Sequence, residues 1–226
     1  MISLLWRRAL RFWEADHSLS IILALLVAIL FVLPVVLPPN TTGHILTDVA
    51  FSALLIAGAV TAIESRWMRL VMGILVAAAL AVRWIAAAAP SDALVIGREA
   101  SSLVIFLLFV ILVSARVYRQ GPVTSRRIQG AVAVYLLLGL VWAHAYKLLY
   151  LVHPDAFNGA INASSESQTW IYYSFVTLTT MGYGDITAVH PIARSLAISE
   201  ALTGQMYLAV TLARLVALHI GGRDQD

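Results

Sequence analysis

Apolar residues run along this 226-residue chain in long unbroken stretches. They form neither the narrow stripes of a soluble amphipathic helix nor the alternation of a half-buried strand. A helix needs about twenty such residues to cross the hydrocarbon core of a bilayer. Six stretches reach that length: residues 19–37, 45–63, 68–89, 93–113, 128–152 and 191–220. Between the last two lies an aromatic-rich segment, Trp170-Ile171-Tyr172-Tyr173-Ser174-Phe175-Val176-Thr177-Leu178, too short and too polar to span. Non-helical backbone at membrane depth persists only where protein or water covers it. The pattern predicts an all-α integral membrane protein with six transmembrane helices and a short re-entrant helix between the fifth and sixth.

Composition agrees with this reading. Residues are 61% hydrophobic and 12% charged, against roughly 25% charged in soluble domains. There is no cysteine, which excludes disulfides, thiolate metal sites and cysteine nucleophiles. The net charge of +3 does not argue for nucleic acid, because the basic residues sit in short clusters between apolar runs. No small-x-small cleavage pattern follows the first run, so a secretory signal is not expected.

Arginine placement predicts the orientation. Arg7, Arg8 and Arg11 precede the first span, Arg66 and Arg69 separate the second and third, and Arg223 follows the sixth. Arg116, Arg119, Arg126 and Arg127 separate the fourth and fifth. The opposite loops, 40–44, 90–92 and 153–169, hold no Lys or Arg. Both termini are therefore expected on the cytoplasmic side of a plasma (inner) membrane. Residues 1–17 read as an interfacial helix: Ile2, Leu5, Trp6, Ala9 and Trp13 share one rhythm while Arg7, Arg8, Arg11 and Glu14 take other faces. Such a stretch rests on anionic headgroups, although a plain positive-inside anchor explains it as well.

After the short aromatic segment comes Thr179-Thr180-Met181-Gly182-Tyr183-Gly184-Asp185. Two glycines flanking one residue allow φ values closed to bulkier residues, so successive carbonyls can face one axis. A bare Gly-x-Gly is ordinarily a turn; here it sits between a short helix and about thirty mostly apolar residues. From Gln129 onward the chain resembles the pore module of tetrameric potassium channels: outer helix, pore helix, selectivity filter, inner helix. Thr-x-Gly-Tyr-Gly is the filter pattern by which potassium selectivity is generally explained. The resemblance covers roughly the last two-fifths of the chain.

The resemblance implies that Thr180, Met181, Gly182 and Tyr183 coordinate K+ ions in the filter through backbone carbonyls, Thr180 also through its hydroxyl. Since one chain carries one filter, it implies a homotetramer. Gly184, Asp185, Tyr172, Tyr173 and Val176 are the expected filter supports. Met181 stands where valine or isoleucine is commoner, and Tyr172 and Tyr173 where many relatives carry tryptophan. Val176 occupies the place of a carboxylate that bonds the filter aspartate in some relatives, so Asp185 needs another partner, for which Tyr173 is the candidate. Gly204, nineteen residues after Asp185, matches the hinge glycine of the inner helix, though a glycine there equally permits close packing. Helical steps from it nominate Leu208, Leu212 and Val216 as cavity- or gate-facing. Glu200 is an ionisable group at membrane depth, costly and often functional; the plainer reading is a hydrogen bond to a pore-helix hydroxyl. Arg214 is expected to snorkel. His190 and His219 could sense pH, but a lone interfacial histidine ordinarily has no such role. Asp155 and Glu166 read as solvated loop acids that leave the filter mouth acidic.

Three domains are expected: residues 1–17, a four-helix domain at 18–119 and the pore module at 120–226. The four-helix domain resembles a degenerate voltage sensor. Within its fourth helix only Arg98 lies in the field, with Glu99 beside it. One charge crossing the membrane is worth about 2.3 kcal/mol per 100 mV, so four subunits supply about 9 kcal/mol at most. Weak or absent voltage gating is expected, with Arg83 and Arg98 pairing with Asp48 or Glu99. The break at Gly121-Pro122 suggests that the domain packs on its own pore module. With seven residues after His219 in this sequence, no nucleotide- or calcium-sensing domain is expected, and a separate regulatory subunit is a candidate partner.

The function expected is passive, potassium-selective conduction. The alternatives are a non-conducting scaffold or regulatory subunit, or the pore subunit of a potassium uptake system. An enzyme is the weakest alternative: His144, Lys147, His153 and Asp155 cluster near one helix end, but His144 and Lys147 read as ordinary interfacial groups. Asn40-Thr41-Thr42 and Asn162-Ala163-Ser164 match glycosylation acceptors, a pattern common by chance.

Overall fold

The computed structural model describes residues 18–37, 41–61, 66–118, 124–159, 161 and 166–223. The N-terminal interfacial helix, Asn40, Asn162, Arg119 and the Gly121–Pro122 break lie outside the described residues, as do the side chains of Glu166 and His219.

The first apolar run forms α1 (Ser18–Val27), a π-helical turn (Ala28–Val32) and α2 (Leu33–Val36). The widened turn immediately precedes Pro34, whose ring lacks an N–H and crowds the carbonyl one turn back. Next come α3 (Thr41–Thr61), α4 (Arg66–Ala88), α5 (Asp92–Val117) and α6 (Ser125–Val152). The Ser91 hydroxyl caps α5 by accepting from the Leu94 N–H, and Asp92 suits the positive end of its dipole. The 13-residue α7 (Glu166–Leu178) follows, and then α8 (Pro191–Arg223), whose proline occupies the helix's first position. Six helices or helix sets among the described residues are long and apolar enough to cross a membrane. The chain is a mostly helical, multi-pass membrane protein, with spans close to those expected.

Its core divides along the six-span plan. Leu26, Leu54, Leu55, Phe106, Phe109, Leu137 and Leu140 join α1, α3, α5 and α6 in one buried cluster. The four-helix domain thus shares its core with α6 of the same chain. A second cluster, rich in rings, gathers Tyr146, Phe157, Trp170 and Tyr173 between α6 and α7.

One element was not expected. β1 (Phe157–Gly159) pairs antiparallel with β2 (Ile186–Ala188), Gly159 facing Ile186. The all-α reading missed it because three-residue strands carry no period to detect. Gly159 adopts φ +130°, and a Cβ there would meet the Asp185 carbonyl at 2.1 Å. The ribbon therefore ties the end of the glycine-rich segment to the loop after α6.

Candidate functional site

The segment 179–185 leaves the C-terminal end of α7. Positive φ recurs at every second residue: Thr180 (60°), Gly182 (54°) and Gly184 (80°). Met181 and Tyr183 between them stay out of that region. Alternation of this kind turns successive N–H groups to one side and the carbonyls to the other. The N–H bonds agree: Met181 and Gly182 both donate to the Val176 carbonyl, at 2.9 and 3.3 Å, and Thr180 donates to Thr177 at 2.9 Å. A built Cβ would meet nothing within 4 Å of Gly182 or Gly184, so their conformation, not their space, requires glycine. Thr180 is β-branched at positive φ, a conformation that costs on the order of 1–3 kcal/mol and concentrates at functional sites.

Asp185 closes the segment. Tyr172 meets its carboxylate: their hydrogen bond raises the Tyr172 phenol above its ordinary value, with partial burial and the carboxylate charge adding to the effect. This corrects the expectation for Tyr173. That ring is buried, edge-on to Tyr146 at 4.8 Å and to Phe157 at 5.5 Å. Neighbouring residues on a helix point about 100° apart, so only one of the two tyrosines can reach Asp185. Val176 is buried and serves through its carbonyl.

Behind the segment, Glu200 on α8 is fully buried. Tyr146 donates to its Oε2 at 2.5 Å, and Ser174 Oγ lies 2.5 Å from its Oε1. Ser174 Oγ is also 2.7 Å from the Gly139 carbonyl. A serine has one proton and here faces two acceptors. Both bonds are satisfied together when Glu200 carries a proton and donates it to Ser174. One carboxyl thus joins α6, α7 and α8, beyond the single pore-helix hydroxyl expected.

Gly204 packs closely on the end of α7. A Cβ there would lie 2.2 Å from the Leu178 carbonyl, and α8 runs helical through it. Leu208, Leu212 and Val216 are exposed in the single chain. Arg214 donates to the Tyr118 carbonyl and stacks over that ring at 5.3 Å. The Tyr118 and Thr211 hydroxyls are 2.5 Å apart, so the end of α5 is fastened to α8. His190 is not alone, being stacked on His153 at 5.4 Å with planes 8° apart. Asp155 is exposed, as expected.

Sequence reasoning missed the largest polar assembly. Arg83 pairs with Asp48 at 2.7 Å and Arg98 with Glu99 at 3.0 Å, as expected. His144 and Lys147 face the protein interior. His144 Nδ1 sits 2.6 Å from Glu99, and Lys147, 3% exposed, lies 3.2 Å from Glu99 and donates to Ser167 at 3.0 Å. The available signal was their i, i+3 spacing on one helix, facing an acid in another.

Residues 132–219 match the model of a family described as an ion channel. Protein LctB of Bacillus caldotenax is 33% identical over 87 residues, covering 36% of this chain and 64% of that protein. Protein LctB of Geobacillus stearothermophilus is 34% identical over 87 residues, covering 38% of this chain and 60% of that protein. The chain therefore spans under two-thirds of the length of these relatives. No solved structure matches the chain. The matched stretch takes in most of α6, all of α7, the 179–185 segment and nearly all of α8, so this part of a multi-pass membrane protein is similar to an ion channel domain.

Proposed function

We propose that the protein is a potassium-selective channel, a homotetramer whose four 179–185 segments line one axial pore. The observation that carries this reading is the alternation of φ sign at Thr180, Gly182 and Gly184, combined with N–H bonds turned back onto α7. Carbonyls of Thr180, Met181, Gly182 and Tyr183 then face the opposite side, where a fourfold ring of them replaces the water around K+. The Thr180 hydroxyl supplies the innermost oxygen. The negative end of the α7 dipole adds favourable potential below the filter. Both termini are cytoplasmic, and the filter mouth with Asp155 and Asp185 opens to the outside, where acidic groups concentrate cations. Leu208, Leu212 and Val216 line the inner cavity, and Glu200 bears on conduction by holding α7 against α8. With Arg83 and Arg98 bound in ion pairs, voltage has little free charge to move.

The test is cation flux in liposomes that contain only the purified full-length protein. Potassium flux blocked by barium, little sodium flux, and loss of both in Gly182→Asp are expected. Equal sodium and potassium flux would refute selectivity. Absence of flux from a proven tetramer over a range of pH and voltage would refute autonomous conduction.

A further inference from the structure

His153 and His190 lie just outside the spans, at two helix ends that meet beside the exit of the 179–185 segment. His153 closes α6 as its C-terminal cap, and His190 directly precedes Pro191, the first residue of α8. Their rings stack at 5.4 Å with planes 8° apart. His190 also caps α8: its Nδ1 accepts from the Ile192 N–H at 3.3 Å, and its carbonyl accepts from the Arg194 N–H at 3.0 Å. Proline has no N–H, so Ile192 offers the first donor of the helix.

The same corner anchors the end of the glycine-rich segment. The Ala156 carbonyl, three residues after His153, accepts from the N–H groups of Val189 and His190 at 2.9 and 3.2 Å. β2 begins directly after Asp185 and is paired there with β1. The ribbon and the two rings therefore share one anchorage.

This arrangement accommodates one proton on the pair but not two. A doubly protonated His190 has no lone pair left at Nδ1 to accept from Ile192. Positive charge is unfavourable at the amino end of a helix, where His190 sits, and favourable at the carboxyl end, where His153 sits. Two stacked imidazolium rings repel as well. Charged groups on the adjoining elements do not offset this. Arg194, one turn into α8, adds positive charge and donates from Nε to the Ala188 carbonyl at 3.2 Å. Asp185 is engaged by Tyr172, Asp155 is exposed, and Tyr150, one turn back on α6, faces Trp170 at 5.0 Å. Among the described residues, the histidine that has a carboxylate partner is His144.

We propose that the His153–His190 pair is a proton-operated latch: a second proton breaks the cap of α8, parts the rings and loosens the ribbon that holds the Asp185 end of the 179–185 segment. Acid on that side of the membrane then lowers conduction. The effect on conduction rests on the channel reading given above; the release of the ribbon does not.

The experiment follows hydrogen exchange of the full-length protein in lipid nanodiscs by mass spectrometry over residues 186–192, at about pH 8 and about pH 5, the interval in which imidazole changes charge. After correction for the intrinsic rate, exchange should rise about fivefold on acidification, the factor that corresponds to losing one helix cap. His190→Asn keeps a capping acceptor but takes up no proton, and should exchange slowly at both pH values. His44→Gln, at an exposed histidine of α3, should respond as the unaltered protein does. In liposomes, acid should lower potassium flux through the unaltered protein and leave flux through His190→Asn unchanged. Exchange that ignores pH, or a response that persists in His190→Asn, would overturn the latch. Flux that ignores pH while the ribbon loosens would overturn its regulatory role. Absence of flux at both pH values, with exchange still responding, would support the latch and count against the channel reading alone.

Discussion

Single residues at the site divide by whether conformation, space or a proton decides them. Gly182 and Gly184 are constrained by φ and Gly204 by space. Gly204→Ala is expected to push α8 off the end of α7, at about 1–3 kcal/mol for an overpacked contact. Thermal unfolding of the purified protein checks this, and an unchanged midpoint would return Gly204 to the role of a free hinge. At Glu200 the proton count makes a sharper distinction. Glutamine can accept from Tyr146 and donate to Ser174 as the protonated acid does, so Glu200→Gln should unfold near the wild-type midpoint. Glu200→Ala leaves two buried hydroxyls short of partners, at about 1–3 kcal/mol each. If Gln proves as harmful as Ala, the carboxyl is ionised and the proton assignment is wrong. Tyr172 has a pH signature. Its raised pKa, caused first by the bond to Asp185, stabilises the fold fully below the unfolded tyrosine value of about 10. That contribution disappears as pH rises through the higher folded value. The midpoint difference between wild type and Tyr172→Phe should therefore hold steady from neutral to mildly alkaline pH and close at strongly alkaline pH.

At the scale of elements, α6 is the common wall. It meets the four-helix domain through Leu137 and Leu140, α7 through Tyr146 and Gly139, and the charge cluster through His144 and Lys147. Close packing explains part of this: a Cβ on Gly139 would strike the Phe175 ring at 2.4 Å. The ion network explains the rest. Glu99 is held well inside the protein by three basic neighbours, so removing it strands them. Glu99→Gln is expected to cost about 3–5 kcal/mol, as broken buried pairs do, and Lys147→Met added to it should cost less than the sum of the two single changes. A denaturation cycle over the four proteins measures that coupling; strict additivity would show that Lys147 and Glu99 do not act together. Fixed ion pairs are also poor gating charges, the ground on which weak voltage dependence is proposed.

For the whole molecule, one surface stands out. Ile198, Leu202, Met206, Leu212 and Val216 expose α8 along most of its length, and Tyr183 and Met181 of the 179–185 segment are also exposed. In a membrane such a face meets lipid or other copies of the chain. Two polar residues interleaved on α8 bond back to their own helix: the Ser199 hydroxyl donates to the Ser195 carbonyl at 2.8 Å and the Thr203 hydroxyl to the Ser199 carbonyl at 2.7 Å. Helices with small and self-satisfied polar residues associate closely in membranes. Chemical cross-linking of the protein in native membranes should therefore stop at four copies. A ladder ending at two, or none at all, would remove the fourfold pore.

Span number, the short helix between the last two spans and the glycine-rich segment were all legible in the chain, because each is a local property. Lipid demands about twenty apolar residues in a row, and positive φ at alternate positions favours glycine in the same register. The arginines that would move in a voltage field could likewise be counted. Only the tertiary structure decided which tyrosine meets Asp185, that Gly204 is a contact, and that His144 and Lys147 face inward onto Glu99. Those outcomes depend on the rotation of one helix against another, and a long apolar helix has no polar stripe from which to read it. The ribbon between β1 and β2 escaped for the same reason: its two strands are three residues each and lie far apart in the chain, so only their meeting makes them strands.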